Sequence, residues 1–214
     1  MTGLVLVGAS GLAREASAVA VLLRHEGPLS IVDDDPARWG TLHGLTPVLG
    51  AVDLLTESVD HDVVLALGKG RHRRRVATRL ELVGFDPDRY TSIVHPRVVL
   101  PGSCHVDAGA IVLDGVVLTA DVEVGRHVVL MPQVTLTHGC TVHDFATLCA
   151  GVTLGGDVEV GEAAYIGMNA SVREGVRIGA GATLGMGSVL LEDLPPGETW
   201  VGVPARPIRI GVHT

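Results

Sequence analysis

Val134-Thr135-Leu136-Thr137-His138-Gly139-Cys140-Thr141-Val142-His143-Asp144-Phe145-Ala146-Thr147-Leu148-Cys149 decides the fold of this 214-residue chain. Leu136, Val142 and Leu148 recur every six residues, and Val134, Cys140 and Ala146 form a second column on the same period. Both columns continue in each direction. Val, Leu or Ile fills every sixth position from Val94, Leu100, Val106 and Val112 to Leu184 and Leu190. Small or β-branched residues, from Val98 and Cys104 to Ala182 and Ser188, sit four positions after each, until Leu194 ends the pattern. A period of six is neither the 3.6 of a helix nor the 2 of a flat strand. It is the hexapeptide signature of a parallel β-helix.

Each hexad supplies one short strand and one turn, and three hexads close a triangular coil. The aliphatic column points inward and the small column fills the crowded corners. Coils stack at strand spacing, roughly 4.8 Å. One coil cannot bury its apolar side alone, so several must stack. Gly125, Gly155, Gly161, Gly167, Gly179 and Gly185 follow the aliphatic residue directly. They are read as turn positions that need permissive backbone angles. Val117, Val129 and Met131 lie outside both inward columns. They are expected to expose an apolar face that meets a second copy.

The first 90 residues carry a different pattern. Leu4-Val5-Leu6-Val7 is an apolar run without polar alternation, as in a buried parallel strand. Gly8-Ala9-Ser10-Gly11 follows, then helical spacing from Leu12 to Arg24. A second strand is expected over Leu29–Val32, ending in Asp33-Asp34, and a third over Val63–Leu67, ending in Gly68-Lys69-Gly70. A basic helix is expected over His72–Val83. This is half of a Rossmann-like α/β sheet. Two domains result, residues 1–90 and 91–214, joined across Asp86–Pro96.

Composition excludes several classes. The net charge is −8, and no basic run exceeds Arg71-His72-Arg73-Arg74-Arg75, so nucleic acid is not an expected partner. No apolar stretch is long enough to span a membrane. A strand-like run begins almost at Met1, without a basic leader or cleavage site, which predicts a cytoplasmic protein. Three cysteines in no ligand spacing predict no metal. Cys104 and Cys140 fall in the small column, and Cys149 does not.

Gly8-x-x-Gly11 reads either as a tight strand-to-helix turn or as a phosphate site, with backbone N–H groups at a helix start facing an anion. Asp33 and Asp34 end the second strand, where an acid commonly meets a ribose or base edge. Gly68 closes the third strand beside the same crevice. Together they favour a mononucleotide or nucleotide-sugar ligand. On the repeat, His138 occupies neither inward column and projects from a coil corner. By position alone it is either a surface histidine or a general base. His143, His127, His105 and His95 compete with it.

The chain resembles the family of sialic acid O-acetyltransferases and bacillosamine-pathway N-acetyltransferases. The resemblance rests on Gly8-Ala9-Ser10-Gly11 with Arg14-Glu15, Val32-Asp33-Asp34, Ala66-Leu67-Gly68, His138-Gly139-Cys140, Gly155-Gly156, Ile166-Gly167 and Trp200 to Arg206, in that order. It implies a left-handed β-helix behind a nucleotide-sugar domain, assembled as a homotrimer. It implies acetyl transfer from acetyl-CoA to a sugar amine or hydroxyl. By the same resemblance His138 is the general base. Ser10, Gly11, Leu12, Asp33, Asp34 and Gly68 hold the nucleotide-sugar, and Thr147, Gly156, Gly167, Met168 and Met186 contact acetyl-CoA.

Two positions depart from the family. Thr147 stands where relatives can have His, and Gly139 where the N-acetyltransferases have a Glu that supports the base. Residues eighteen apart stack on neighbouring coils, so Asp121 and Asp157 flank position 139 and are candidates to orient the His138 ring. Both also read as ordinary turn aspartates, and Asp144 is a third candidate. Transfer is expected to be direct, with a backbone N–H such as that of Gly156 facing the oxyanion. Arg206 reads either as a contact to CoA phosphates or as a solvated tail residue. A non-catalytic nucleotide-sugar-binding trimer is the competing reading.

Overall fold

The structure is a computed structural model describing residues 3–25, 27–57 and 61–208. β1 (Gly3–Val7) leads into α1 (Gly11–Leu22), and β2 (Leu29–Val32) follows. A short antiparallel pair, β3 (Leu42–His43) and β4 (Thr46–Gly50), precedes β5 (His61–Leu65) and α2 (Gly70–Leu82). The sheet order is β3-β4-β2-β1-β5, with β1 parallel to both β2 and β5. The sheet is therefore larger than its sequence pattern suggests, because β4 joins β2 in parallel register. Its third expected strand also starts two residues earlier. β1 is buried along its whole length, as expected of a central strand covered on both faces.

From Ile93 the chain winds as a triangular solenoid with three faces. The first carries Ile93–Val94, Ile111–Val112, Val129–Leu130, Thr147–Leu148, Tyr165–Ile166, Thr183–Leu184 and Thr199–Val201. The second carries Val117–Leu118, Thr135–Leu136, Thr153–Leu154, Ser171–Val172 and Val189–Leu190. The third carries His105–Val106, Glu123–Val124, Thr141–Val142, Glu159–Val160 and Arg177–Ile178. Successive coils pair in parallel at a register of eighteen residues, as Thr147 with Tyr165 shows. Both sequence columns fill one continuous core running from Val112 to Leu194. The first coil is incomplete: Leu100 falls on the aliphatic column but lies outside any strand and is 43% exposed.

The glycines after the aliphatic column serve a different purpose from the one expected. The left-handed backbone angle falls three residues after the aliphatic position, at every turn from Gly109 to Gly187. Half of those turns use other residues, including Asp121, His127, Phe145 and Asp157. Gly161 does not have a positive φ. A Cβ there would stand 2.5 Å from the Ala180 nitrogen on the next coil. Glycine is required at that position by the approach of a neighbouring turn, not by its own dihedral angle.

The two domains share a core. α1 lies between the sheet and the first solenoid face, with Leu12, Ala13 and Ala16 packed in one cluster with Ile93, Ile111 and Val129. Val129 is buried and Met131 packs against the same cluster. The apolar face expected to meet a second copy is thus covered at these two residues by the chain's own α1. Val117, on the second face, remains 47% exposed. The sheet's other side packs on α2, through Val76, Ala77 and Leu80. Among the described residues, no helix is long and apolar enough to cross a membrane.

Candidate active site

The start of α1 forms one wall of a cleft of about 410 Å³ against the first solenoid face. Gly11, Leu12 and Glu15 come from α1, Gly68 and Lys69 from the end of the β5 segment, and Thr147, Cys149 and Tyr165 from the solenoid. Ser10 is the N-cap of α1: its hydroxyl accepts from the Ala13 N–H at 3.4 Å and donates to the Ala66 carbonyl at 2.7 Å. A Cβ on Gly11 would meet nothing within 4 Å, so the helix start opens onto free space. Such an opening suits an anion. Gly11, Leu12 and Gly68, expected at the nucleotide-sugar, line one cleft with Thr147, which was expected at acetyl-CoA.

Asp33 and Asp34 are placed differently. They line a smaller cleft of about 180 Å³ with Gly8, His72 and Arg75. One Asp33 oxygen accepts the Ala9 N–H at 2.6 Å and the other the Asp35 N–H at 2.9 Å. Asp33 therefore shapes the glycine turn. The Asp34 carboxylate takes two bonds from Arg79, at 2.8 and 3.1 Å, and one from the Val52 N–H at 3.3 Å. The Arg79 guanidinium holds the Asp34 carboxyl below its ordinary range. Both carboxylates are engaged by the protein and still line that cleft, with the Asp34 side chain half exposed.

Arg73 is the residue that sequence reading missed. It lies in the basic run of α2, where solvent exposure is the default, yet it is 0% exposed. Its Nε donates to the His127 carbonyl at 2.8 Å. One terminal nitrogen donates to the Leu67 and Gly68 carbonyls at 2.6 and 3.2 Å. The other donates to the Phe145 and Ala146 carbonyls at 2.7 and 3.0 Å and to the Thr147 hydroxyl at 2.9 Å. Among the described residues no carboxylate balances it, and burial pushes its pKa down to about 9. Thr147 in turn donates to the Gly68 carbonyl at 3.0 Å. Thr147 is buried, and its hydroxyl is a structural link across the cleft floor.

Cys149 and Tyr165 close the inner wall. Burial raises the Cys149 thiol above its ordinary range. The hydrogen bond with Cys149, then burial, pushes Tyr165 up to about 12. Neither group is activated as a nucleophile at neutral pH.

His138 stands elsewhere. It occupies the corner between the second and third solenoid faces, across the coil from the face that carries the cleft. Its side chain is 67% exposed, and its Nδ1 lies 4.0 Å from Asp157 Oδ2. The ring leans over Gly156, where a Cβ would stand 2.2 Å from its Cε1. It thus leans toward the coil that carries Asp157 and away from the coil of Asp121. Asp121 accordingly makes no ion pair with His138, and its N–H donates to the Ser103 hydroxyl at 3.0 Å. Asp144 accepts the Arg126 N–H at 2.8 Å. Met168 and Met186 are exposed at a third place, the corner between the first and second faces, above Gly167. Arg206 pairs with Glu192 at 2.7 Å.

Comparison with known proteins agrees with the two-part fold. Residues 3–80 match the model of the PglD N-terminal domain, and residues 157–192 match that of the bacterial transferase hexapeptide repeat. No curated protein matches the chain. Among solved structures, the acetyltransferase domain of PglB from Neisseria gonorrhoeae, in complex with acetyl coenzyme A, is 28% identical with a TM-score of 0.88. The match covers 97% of this chain and 99% of that one. PerB from Caulobacter crescentus, in complex with CoA and GDP-perosamine, is 29% identical with a TM-score of 0.86 over 98% of each chain. WeeI from Acinetobacter baumannii, at 24% identity and a TM-score of 0.86, shares the fold. With a PglD-type N-terminal domain and transferase hexapeptide repeats on a left-handed β-helix in one chain, this protein is similar over nearly its whole length to the hexapeptide-repeat sugar acetyltransferases.

Proposed function

We propose that this protein transfers the acetyl group of acetyl-CoA to an amino group of a nucleotide-linked sugar. The observation that carries the reading is the cleft between the open α1 start and the Gly68–Thr147 floor. It stands in a chain that matches, nearly end to end, proteins solved with acetyl-CoA or with CoA and GDP-perosamine. Gly11 and Leu12 offer backbone N–H groups to the diphosphate. Asp33 acts one step back, by fixing the turn that aims them.

His138 acts as the general base. It removes a proton as the sugar nitrogen attacks the thioester carbonyl, the C–S bond breaks and CoA leaves as the thiol. Two Caulobacter complexes carry a substitution of one histidine, which supports a histidine role in that relative. Asp157 steadies the imidazolium from 4.0 Å. The Gly156 N–H faces the developing oxyanion. Gly167, Met168 and Met186 border the acetyl-CoA path.

Cleft and base lie on opposite sides of one coil, so one copy does not complete the site. The reading therefore includes a homotrimer in which the His138 corner of one copy enters the cleft of the next. The partly exposed Val117 face and the exposed methionine corner supply apolar surface for that contact. The test is thiol release from acetyl-CoA against UDP-, dTDP- and GDP-linked amino sugars, with His138→Ala as control. Turnover with one sugar that vanishes in the variant supports the reading. Nucleotide-sugar binding without release from any member would favour a binding protein.

A further inference from the structure

We propose that Glu15 recognises a positively charged group on the acceptor, so that the cleft selects amine-bearing nucleotide sugars over their hydroxyl counterparts. The inference rests on the nucleotide-sugar reading of the cleft. Glu15 is four residues beyond Gly11 on α1, so the two share one helix face a single turn apart. Both line the same cleft. The helix start attracts an anion. An acid one turn away repels that same anion, unless the ligand also carries a positive charge between the two. A nucleotide amino sugar has that layout, with a diphosphate at one end and an ammonium at the other.

The rest of the wall gives Glu15 no partner of its own. Leu12, Val129 and Met131 are apolar, and Lys69, the cation on the same wall, forms no ion pair with it. Among the described residues, the Glu15 carboxylate has neither a hydrogen bond nor a salt bridge. Burial alone moves it, and raises its pKa. Glu15 is exposed on the cleft wall, and a carboxylate without a partner there is free to pair with a charged group on the ligand. Glu15 is a binding residue in this account and transfers no proton.

The experiment is calorimetric binding of paired ligands to the full-length protein. GDP-perosamine is compared with GDP-rhamnose, which carries a hydroxyl in place of the amine, and UDP- and dTDP-linked amino sugars are compared with their hydroxyl counterparts. The unaltered protein is expected to prefer the amine by about tenfold or more. Glu15→Gln is expected to abolish that preference, weakening amine-sugar binding while hydroxyl-sugar affinity stays equal or rises. An undiminished preference in the variant, or an equal loss on both ligands, overturns the proposal. Binding without amine preference in the unaltered protein overturns it too, and leaves the nucleotide-sugar reading standing. No binding of any nucleotide sugar by the folded protein overturns both.

Discussion

The Arg73 guanidinium and the Thr147 hydroxyl meet at 2.9 Å beneath the cleft, and through them the N-terminal domain and the solenoid become one body. The Arg73 fork is donated almost entirely to backbone carbonyls on both sides of the junction. Substituting Arg73→Met leaves those carbonyls short of donors. It is expected to destabilise the protein by about 3 kcal/mol in urea unfolding. Arg73→Lys is expected to restore only part of this, because an ammonium cannot reach several directions as a planar fork does. A loss of under about 1 kcal/mol in both variants would show that the junction is held by apolar packing alone.

Asp157 occupies the space that a side chain on residue 139 would need. A Cβ on Gly139 would stand 2.2 Å from Asp157 Oδ1, and Gly139 has a φ of +70°. Introducing the glutamate of related enzymes, as Gly139→Glu, is therefore expected to lower stability by about 2 kcal/mol without raising kcat. Asp157→Asn is expected to lower kcat about three- to tenfold. Asp121→Asn is expected to leave kcat unchanged. A kcat insensitive to Asp157→Asn would remove Asp157 from the mechanism.

His127 gives the fold an acid-sensitive point. Its ring stacks on Phe145 at 5.0 Å, meets Tyr90 edge-on at 4.4 Å, and neither ring nitrogen has a hydrogen-bond partner. Burial pushes its pKa from 6.5 down to about 3. Above pH 6.5 the ring is neutral both folded and unfolded, and no penalty applies. As pH falls from 6.5 toward 3 the unfolded chain takes up a proton that the folded chain does not. Stability is then lost, up to about 4 kcal/mol across that window. Denaturant unfolding across this range is expected to show the slope, and His127→Phe to flatten it. Equal slopes in both proteins would place acid sensitivity elsewhere.

The shared site is testable by mixing. Gly11→Trp fills the cleft from a position with open space around it, and His138→Ala removes the base from the opposite corner. Each variant alone is expected to be inactive. Co-assembled in equal amounts, they are expected to recover about a quarter of the sites, because base and cleft come from different copies. No recovery in verified mixed assemblies would mean that each chain acts alone.

The solenoid was legible in the sequence because its period comes from local geometry: Leu136, Val142 and Leu148 must each face inward whatever surrounds the domain. The glycine turn at the start of α1 was legible for a similar reason, since Ser10 and Gly11 sit at a strand-to-helix turn with its own local signals. β3 and β4 escaped because Leu42–His43 is too short for a pattern and Thr46–Gly50 contains Pro47 and a terminal glycine. Arg73 escaped because its burial depends on carbonyls of residues 127, 145 and 146, far along the chain. The same holds for Val129, whose cover is α1. The corner position of His138 was legible from its place in the hexad, but its distance from the cleft follows from the order of the three faces and not from any motif.

The most direct measurement follows acetyl-CoA labelled in its acetyl group with nucleotide amino sugars and the intact protein. The account predicts label on the sugar nitrogen, free CoA thiol in equal amount, no label on the protein, and none of this with His138→Ala. Label held by the protein, at Cys149 or elsewhere, or transfer undiminished in His138→Ala, would contradict it.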